Sequence, residues 1–183
     1  MENVFFAILL NGILLNNCAL QGYLGISTVM GHADNTKKSA MMGAAVTAVM
    51  VLTAIVAWPV QTMILAPKGL EYLQTMVFVA IILAASALFG AVVKTEKAMG
   101  LWFPLVALNS AVLGVTVNNA AAGYNFVETV VSALACGLGF LLAMVVYSGV
   151  CTRIENQYVP RAFRGLPVQL MAAGIVALAL YAF

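Results

Sequence analysis

Asn17-Cys18-Ala19-Leu20-Gln21-Gly22 returns 92 residues later as Asn109-Ser110-Ala111-Val112-Leu113-Gly114, in a chain of 183 residues. Each copy sets an amide and a glycine inside a stretch otherwise apolar enough to lie in a bilayer. An unpaired amide in hydrocarbon costs several kcal/mol. These side chains must therefore find each other, freed backbone groups, or something bound. Polar, glycine-punctuated segments at matching points of two halves are the sequence mark of interrupted helices around a site near the membrane midplane.

The charge pattern says what surrounds that pair. Hydrophobic residues make up 64% of the chain, charged residues 8%, and the mean hydropathy is +1.06. Soluble domains and nucleic-acid binders do not have such a composition. Charge-free runs cover 3–33, 39–67, 72–93, 98–127, 129–152 and 165–183. A helix needs about 20 apolar residues to cross the hydrocarbon layer. The spacing predicts an all-α integral membrane protein with six transmembrane helices in one domain over 1–183. Helices 1 and 4 are interrupted, repeat 1 covers about 1–93 and repeat 2 about 98–183. Three spans per half reverse the direction of entry, so the repeats are inverted. Lys37, Lys38, Lys94, Lys97, Arg153, Arg161 and Arg164 follow the odd-numbered spans, and only Lys68 lies on the other side. The positive-inside rule then places both termini outside a cytoplasmic membrane. No basic n-region or cleavage motif precedes the first apolar run, so it reads as a retained span.

Span one carries Asn16, Asn17, Gln21, Gly22, Gly25, Ser27 and Thr28. Span four carries Pro104, Asn109, Ser110, Gly114, Thr116, Asn118 and Asn119. The plain alternative for any one of these is a hydrogen bond between packed helices. As a paired constellation they read as a site, with Asn17, Gly25, Asn109 and Gly114 around it. Gly43, Ala44, Ala45 and Ala48 in span two, with Gly137, Gly139 and Ala143 in span five, read as close helix packing. Trp58, Tyr72, Trp102, Tyr124, Tyr147 and Tyr158 read as an interfacial aromatic belt. Met41, Met42, Met50, Met63, Met76 and Met144 read as core filler. Cys18, Cys136 and Cys151 form neither a disulfide framework nor a metal motif. Glu128 is placed to face a helix N-terminus. No ionisable residue lies deep in a span, which argues against a self-contained ion pump. No phosphate-binding glycine loop is present, so nucleotide chemistry belongs elsewhere.

Asn16-Asn17 with Leu24-Gly25, Phe103-Pro104-Leu105 through Asn109, Ala111-Val112-Leu113-Gly114, Tyr124-Asn125-Phe126, Val159-Pro160 with Phe163-Arg164-Gly165, and Ala172-Ala173-Gly174 together resemble a known family. It is that of the RnfA/NqrE-type subunits of Rnf and sodium-pumping NADH:quinone oxidoreductase (Nqr) complexes, along nearly the whole chain. The resemblance implies a membrane component of an ion-translocating electron-transfer complex in a bacterial or archaeal cytoplasmic membrane. It implies a homologous membrane partner of opposite topology and neighbouring subunits carrying flavin and iron–sulfur groups. It also implies a [2Fe-2S] cluster shared with the homologous partner, each half-helix supplying one cysteine.

Those cysteine positions are Ser27 and Ser110 in this chain, and a carboxylate implied late in span three is Gly90. Iron–sulfur clusters are held overwhelmingly by thiolates, and a serine hydroxyl is harder and far less acidic. A natural cluster-less variant, a deliberate Cys→Ser replacement, and a site shifted to Cys18 would each account for the departure. Two functional classes follow. One is a redox-complex component scaffolding a mid-membrane iron–sulfur site or its vestige, with no complete active site of its own. The other is a non-redox permease or structural scaffold built on the same inverted repeat.

Overall fold

The computed structural model describes Gly12, Gly22, residues 24–31, 36–92, Val106, residues 109–155, Pro160 and residues 163–181. Its α-helices are α1 (Ile26–Gly31), α2 (Thr36–Val60), α3 (Gln74–Val92), α4 (Ser110–Ala121), α5 (Phe126–Glu155) and α6 (Leu166–Tyr181). No strand occurs among the described residues. Among the described residues, three helical stretches are long and apolar enough to cross a membrane: Thr36–Leu65, Gln74–Ala91 and Phe126–Ile154. At 1.5 Å per residue, the 25 residues of α2 reach about 38 Å, more than the hydrocarbon thickness. The stretches preceding α1 and α4 lie largely outside the described residues.

The centre of the molecule is the antiparallel pair α2 and α5. Two glycines set their distance. A Cβ on Gly137 would lie 2.5 Å from Thr47 Cγ2, and one on Gly43 would lie 3.0 Å from Leu141 Cα. The Thr47 hydroxyl lies 2.8 Å from the Gly43 carbonyl and 2.9 Å from the Gly137 carbonyl, and shares its one proton between the two helices. In a bilayer, where lipid is as apolar as leucine, such close backbone approach is what drives association. Gly12 adds a third approach, its Cβ position lying 2.7 Å from Ala135 Cβ.

Around this seam Met42, Val46, Val49, Met50, Phe140, Ala143, Met144 and Tyr147 form a core with almost no exposure. The outward faces are also apolar: Leu52, Val56, Leu83, Leu88, Leu142, Leu170 and Ile175 are exposed. That is how a helix facing lipid on one side and protein on the other must read. The methionines divide: Met42, Met50 and Met144 fill the core, whereas Met41, Met63 and Met76 are exposed. Tyr147 is 1% exposed and is no belt residue. Its hydroxyl donates to the Gln169 carbonyl at 2.9 Å and ties the late part of α5 to the start of α6.

The far end of α2 is irregular. Pro59 removes an N–H from the helix ladder, and the chain continues as a wider π-helical turn, Gln61–Leu65. Across from it α5 begins at a capped turn. The Asn125 carbonyl accepts from Thr129 N–H at 2.8 Å, while Glu128 Oε2 accepts from Asn125 N–H at 3.0 Å. The Glu128 carboxylate thus satisfies one orphan amide at the helix start, and the Thr129 bond is the first of the helix ladder.

Candidate functional site

The segments singled out in spans one and four meet where α1 and α4 begin. Gly25 sits at φ +75°, in the left-handed region, and its carbonyl accepts from Thr28 N–H at 3.0 Å and Val29 N–H at 3.2 Å. A residue that starts a helix from a left-handed turn is glycine for steric reasons. Asn109 starts α4 by the other usual device. It holds extended backbone and its side chain accepts from Ala111 N–H at 2.9 Å. Asparagine is among the strongest N-caps.

The two starts touch. Gly25 N–H donates to Ser110 Oγ at 2.8 Å. A Cβ on Gly25 would lie 2.6 Å from Asn109 Oδ1, 2.8 Å from Phe140 Cε2 and 3.3 Å from Ala111 Cβ. A Cβ on Gly114 would lie 2.5 Å from Leu24 Cδ1. Gly25, Asn109, Ser110 and Gly114 thus belong to one contact set, with Leu24 and Phe140 as members that pattern reading alone missed. Their apolar side chains gave no signal. Asn17 lies outside the described residues.

Burial separates the roles. Asn109 is 3% exposed and Thr28 1%, whereas Ser27 and Ser110 are exposed on this chain. Each helix start therefore keeps one polar residue inside and offers one serine outside. Asn109 Nδ2 is buried without a hydrogen-bond partner. Two helix N-termini with an exposed hydroxyl at each make a junction that can accept a proton donor or face another protein.

The donor set does not fit an iron–sulfur cluster. The ligands on offer are hydroxyls, and Ser110 Oγ already accepts from Gly25 N–H. Among the described residues no group of three or more His, Cys, Asp or Glu side chains could hold a metal ion. Cys136 and Cys151 lie on α5, neither in a disulfide, and Cys18 lies outside the described residues.

Asn119 of α4 serves a second centre. Asn119 Oδ1 accepts from Ser132 Oγ at 2.7 Å, and Asn119 Nδ2 donates to the Thr129 carbonyl at 3.3 Å. The sequence grouped Asn119 with Asn109; the helix separates them by almost three turns.

The chain is also similar to known proteins. A family model described as "Rnf-Nqr subunit, membrane protein" matches residues 5–183. The chain is 38% identical to the A subunit of the Na(+)-translocating ferredoxin:NAD(+) oxidoreductase complex of Acetobacterium woodii, over 96% of this chain and 94% of that protein. It is 36% identical to the A subunit of the ion-translocating oxidoreductase complex of Syntrophotalea carbinolica, over 100% of this chain and 97% of that one. It is 32% identical to the A subunit of the proton-translocating ferredoxin:NAD(+) oxidoreductase complex of Clostridium ljungdahlii, over 98% and 95%.

Proposed function

Because the chain belongs to the Rnf-Nqr membrane subunit family, we propose that it is the RnfA-type membrane component of an ion-translocating electron-transfer complex, one that keeps the interrupted-helix scaffold with oxygen in place of sulfur at its junction. The observation that carries this reading is the Gly25 N–H to Ser110 Oγ hydrogen bond. It joins the starts of two helices at Ser110, one of the two positions where the family resemblance implies cluster ligands, and two residues before the other, Ser27.

The six-span inverted repeat belongs to the same proposal. The contacts of Gly43 with Leu141, Thr47 with Gly137, and Trp58 with Phe126 run along α2 and α5 in one antiparallel register. An in-plane pseudo-two-fold would pair equivalent helices antiparallel in this way. Lys37, Lys38, Arg153 and Arg164 fall at one end of the bundle, which the positive-inside rule makes cytoplasmic. Both termini are then outside.

The serines exposed at the junction would face a homologous membrane partner of opposite topology, with flavin- and iron–sulfur-containing subunits completing the complex. This chain's contribution at the junction is positional. Asn109 caps α4, Gly25 permits the turn into α1, and Ser110 locks the two together. A cluster, where bound in this family, would supply one-electron transfer; the side chains present here do not favour holding one, and we propose a preserved scaffold without it.

The experiment is the purification of the complex through this chain, with iron, acid-labile sulfide and EPR measured beside a Ser27→Cys/Ser110→Cys variant. Copurifying flavoproteins, and a cluster signal gained only in the double variant, are the expected result. A native signal altered by the substitutions would put an unusual ligand set on the electron path. Solute or ion flux through the isolated chain in liposomes, with no electron donor and no copurifying flavoprotein, would select the permease class instead.

A further inference from the structure

A cavity of about 180 Å³ opens at the end of the bundle away from Lys37, Lys38 and Arg153, apart from the half-helix junction. It lies where α2 breaks at Pro59, α4 ends and α5 begins, and Thr62, Gly123 and Asn125 are exposed on its rim. The helical stretch Thr36–Leu65 holds 30 residues. At 1.5 Å per residue it reaches about 45 Å, so its end passes the hydrocarbon and enters the headgroup region. We propose that the cavity is a lipid site that takes the uncharged glycerol-ester carbonyl of a phospholipid and leaves the charged headgroup outside.

The chemistry of the wall points there. Among the described residues no charged side chain lines the cavity, and an isolated charge taken out of water is costly. The occupant is therefore neutral. A hydroxyl carries one proton, and each threonine of the wall has spent it on a backbone carbonyl. Thr62 donates to the Trp58 carbonyl at 2.7 Å, Thr116 to Val112 at 2.8 Å and Thr129 to Tyr124 at 3.4 Å. Trp58 Nε1 donates to the Tyr124 carbonyl at 2.9 Å. What remain on the wall are amide hydrogens. Asn119 commits one to the Thr129 carbonyl at 3.3 Å and keeps the other. Gln61 commits neither: its Oε1 is buried without a partner, and no hydrogen bond among the described residues engages its nitrogen.

Orphaned N–H groups are rarer in folded proteins than under-used oxygens, so the unspent amide hydrogens decide what the space accepts. They call for an acceptor. Ala54, Ala57, Phe78 and Ala120 make much of the remaining wall apolar, so that acceptor must bring hydrocarbon with it. A cavity of about 150 Å³ holds one benzene, and this one is slightly larger. It therefore takes about six or seven heavy atoms, enough for an ester group and the carbons beside it. Water would serve the amides and leave the apolar wall wet; an ester serves both. Ester carbonyls are the neutral acceptors that a bilayer itself supplies at the depth of helix ends. The inference needs only a chain embedded in a membrane and is independent of the electron-transfer reading above.

Trp58 is one of two tryptophans, so a Trp102→Phe background makes its fluorescence report on the cavity. The full-length chain, stripped of lipid in detergent, is titrated with dioleoylphosphatidylcholine and with its diether analogue, which lacks only the carbonyls. The expected result is a saturable response whose midpoint is about fivefold lower for the diester, the worth of one neutral hydrogen bond. Gln61→Met keeps the bulk of the side chain without its amide and should bring the two midpoints together. Dioleoylglycerol, with both esters and no phosphate, should compete with the phospholipid. Equal midpoints for diester and diether in the parent chain overturn the site and leave a space filled by water. A diester preference that survives Gln61→Met belongs to the micelle and overturns it too. Failure of dioleoylglycerol to compete would assign the response to the headgroup, with the same consequence.

Discussion

The two polar centres of this molecule solve the same problem in opposite ways. Where α1 and α4 start, Gly25, Asn109 and Ser110 bond one another at close range, two Cβ positions are already occupied by neighbours, and Asn109 Nδ2 stays buried without a partner. At the far end, a cavity of about 180 Å³ opens beside Gln61, whose buried Oε1 likewise has no partner. A closed network inside a membrane rigidifies, because every broken bond leaves a group that lipid cannot satisfy. An open one invites water or a ligand. The junction is therefore the mechanical fixed point, and the cavity the place where something exchangeable can sit.

The strongest way to break this contrast is to overfill the junction. Gly25→Ala forces a side chain onto φ +75° and places its Cβ 2.6 Å from Asn109 Oδ1, which is held in its capping bond. Strain and overpacking together should cost about 3 kcal/mol. Thermal unfolding of the solubilised chain, read by loss of the monodisperse peak, checks this. A melting temperature equal to that of the parent would mean that the two half-helix starts are not locked.

Second comes the α2–α5 seam. A methyl on Gly137 would meet Thr47 Cγ2 at 2.5 Å, and the helices must part by some tenths of an ångström. Gly137→Ala should cost about 2 kcal/mol. Thr47→Ser opens space at the same contact, so the double variant should recover part of that loss in a double-mutant cycle. Additive losses would deny the direct contact.

Third is the cap itself. Asn109→Ala removes the acceptor for Ala111 N–H and should cost about 1 kcal/mol. Asn109→Asp should restore the cap by supplying the same acceptor. Hydrogen exchange at Ala111 and Val112 reads the loss locally, where a global melt would blur it.

How much of this the sequence carried follows from what fixes each feature. Helices α2, α3 and α5 are legible because uninterrupted apolar length is itself the determinant of a span. The half-helix starts are only partly so. The matched hexapeptides are 92 residues apart, yet α1 starts at Ile26 and α4 at Ser110, which are 84 apart. Helix starts obey local capping chemistry, the left-handed Gly25 and the capping Asn109, rather than the register of a repeat. Tyr147 misled because position along a span does not say which face a residue occupies. Its hydroxyl finds Gln169 in the interior. The cavity was invisible because Gln61, Thr116 and Thr129 come together only through the packing of α2, α4 and α5. Pro59 followed by Gln61-Thr62 in an apolar run was the one local hint.

The smallest effect discriminates most sharply, because its sign is unusual. Gln61→Leu removes a buried acceptor that has no partner in the protein. In a structural role, losing a polar side chain from a helix bundle costs stability. Here the buried oxygen carries a desolvation penalty of about 1–3 kcal/mol that no partner in the protein offsets. Gln61→Leu should therefore be neutral or raise stability by about 0.5 kcal/mol, read as the melting temperature of the solubilised chain without added lipid. A Gln61→Leu chain that melts lower than the parent would make Gln61 a packing residue instead.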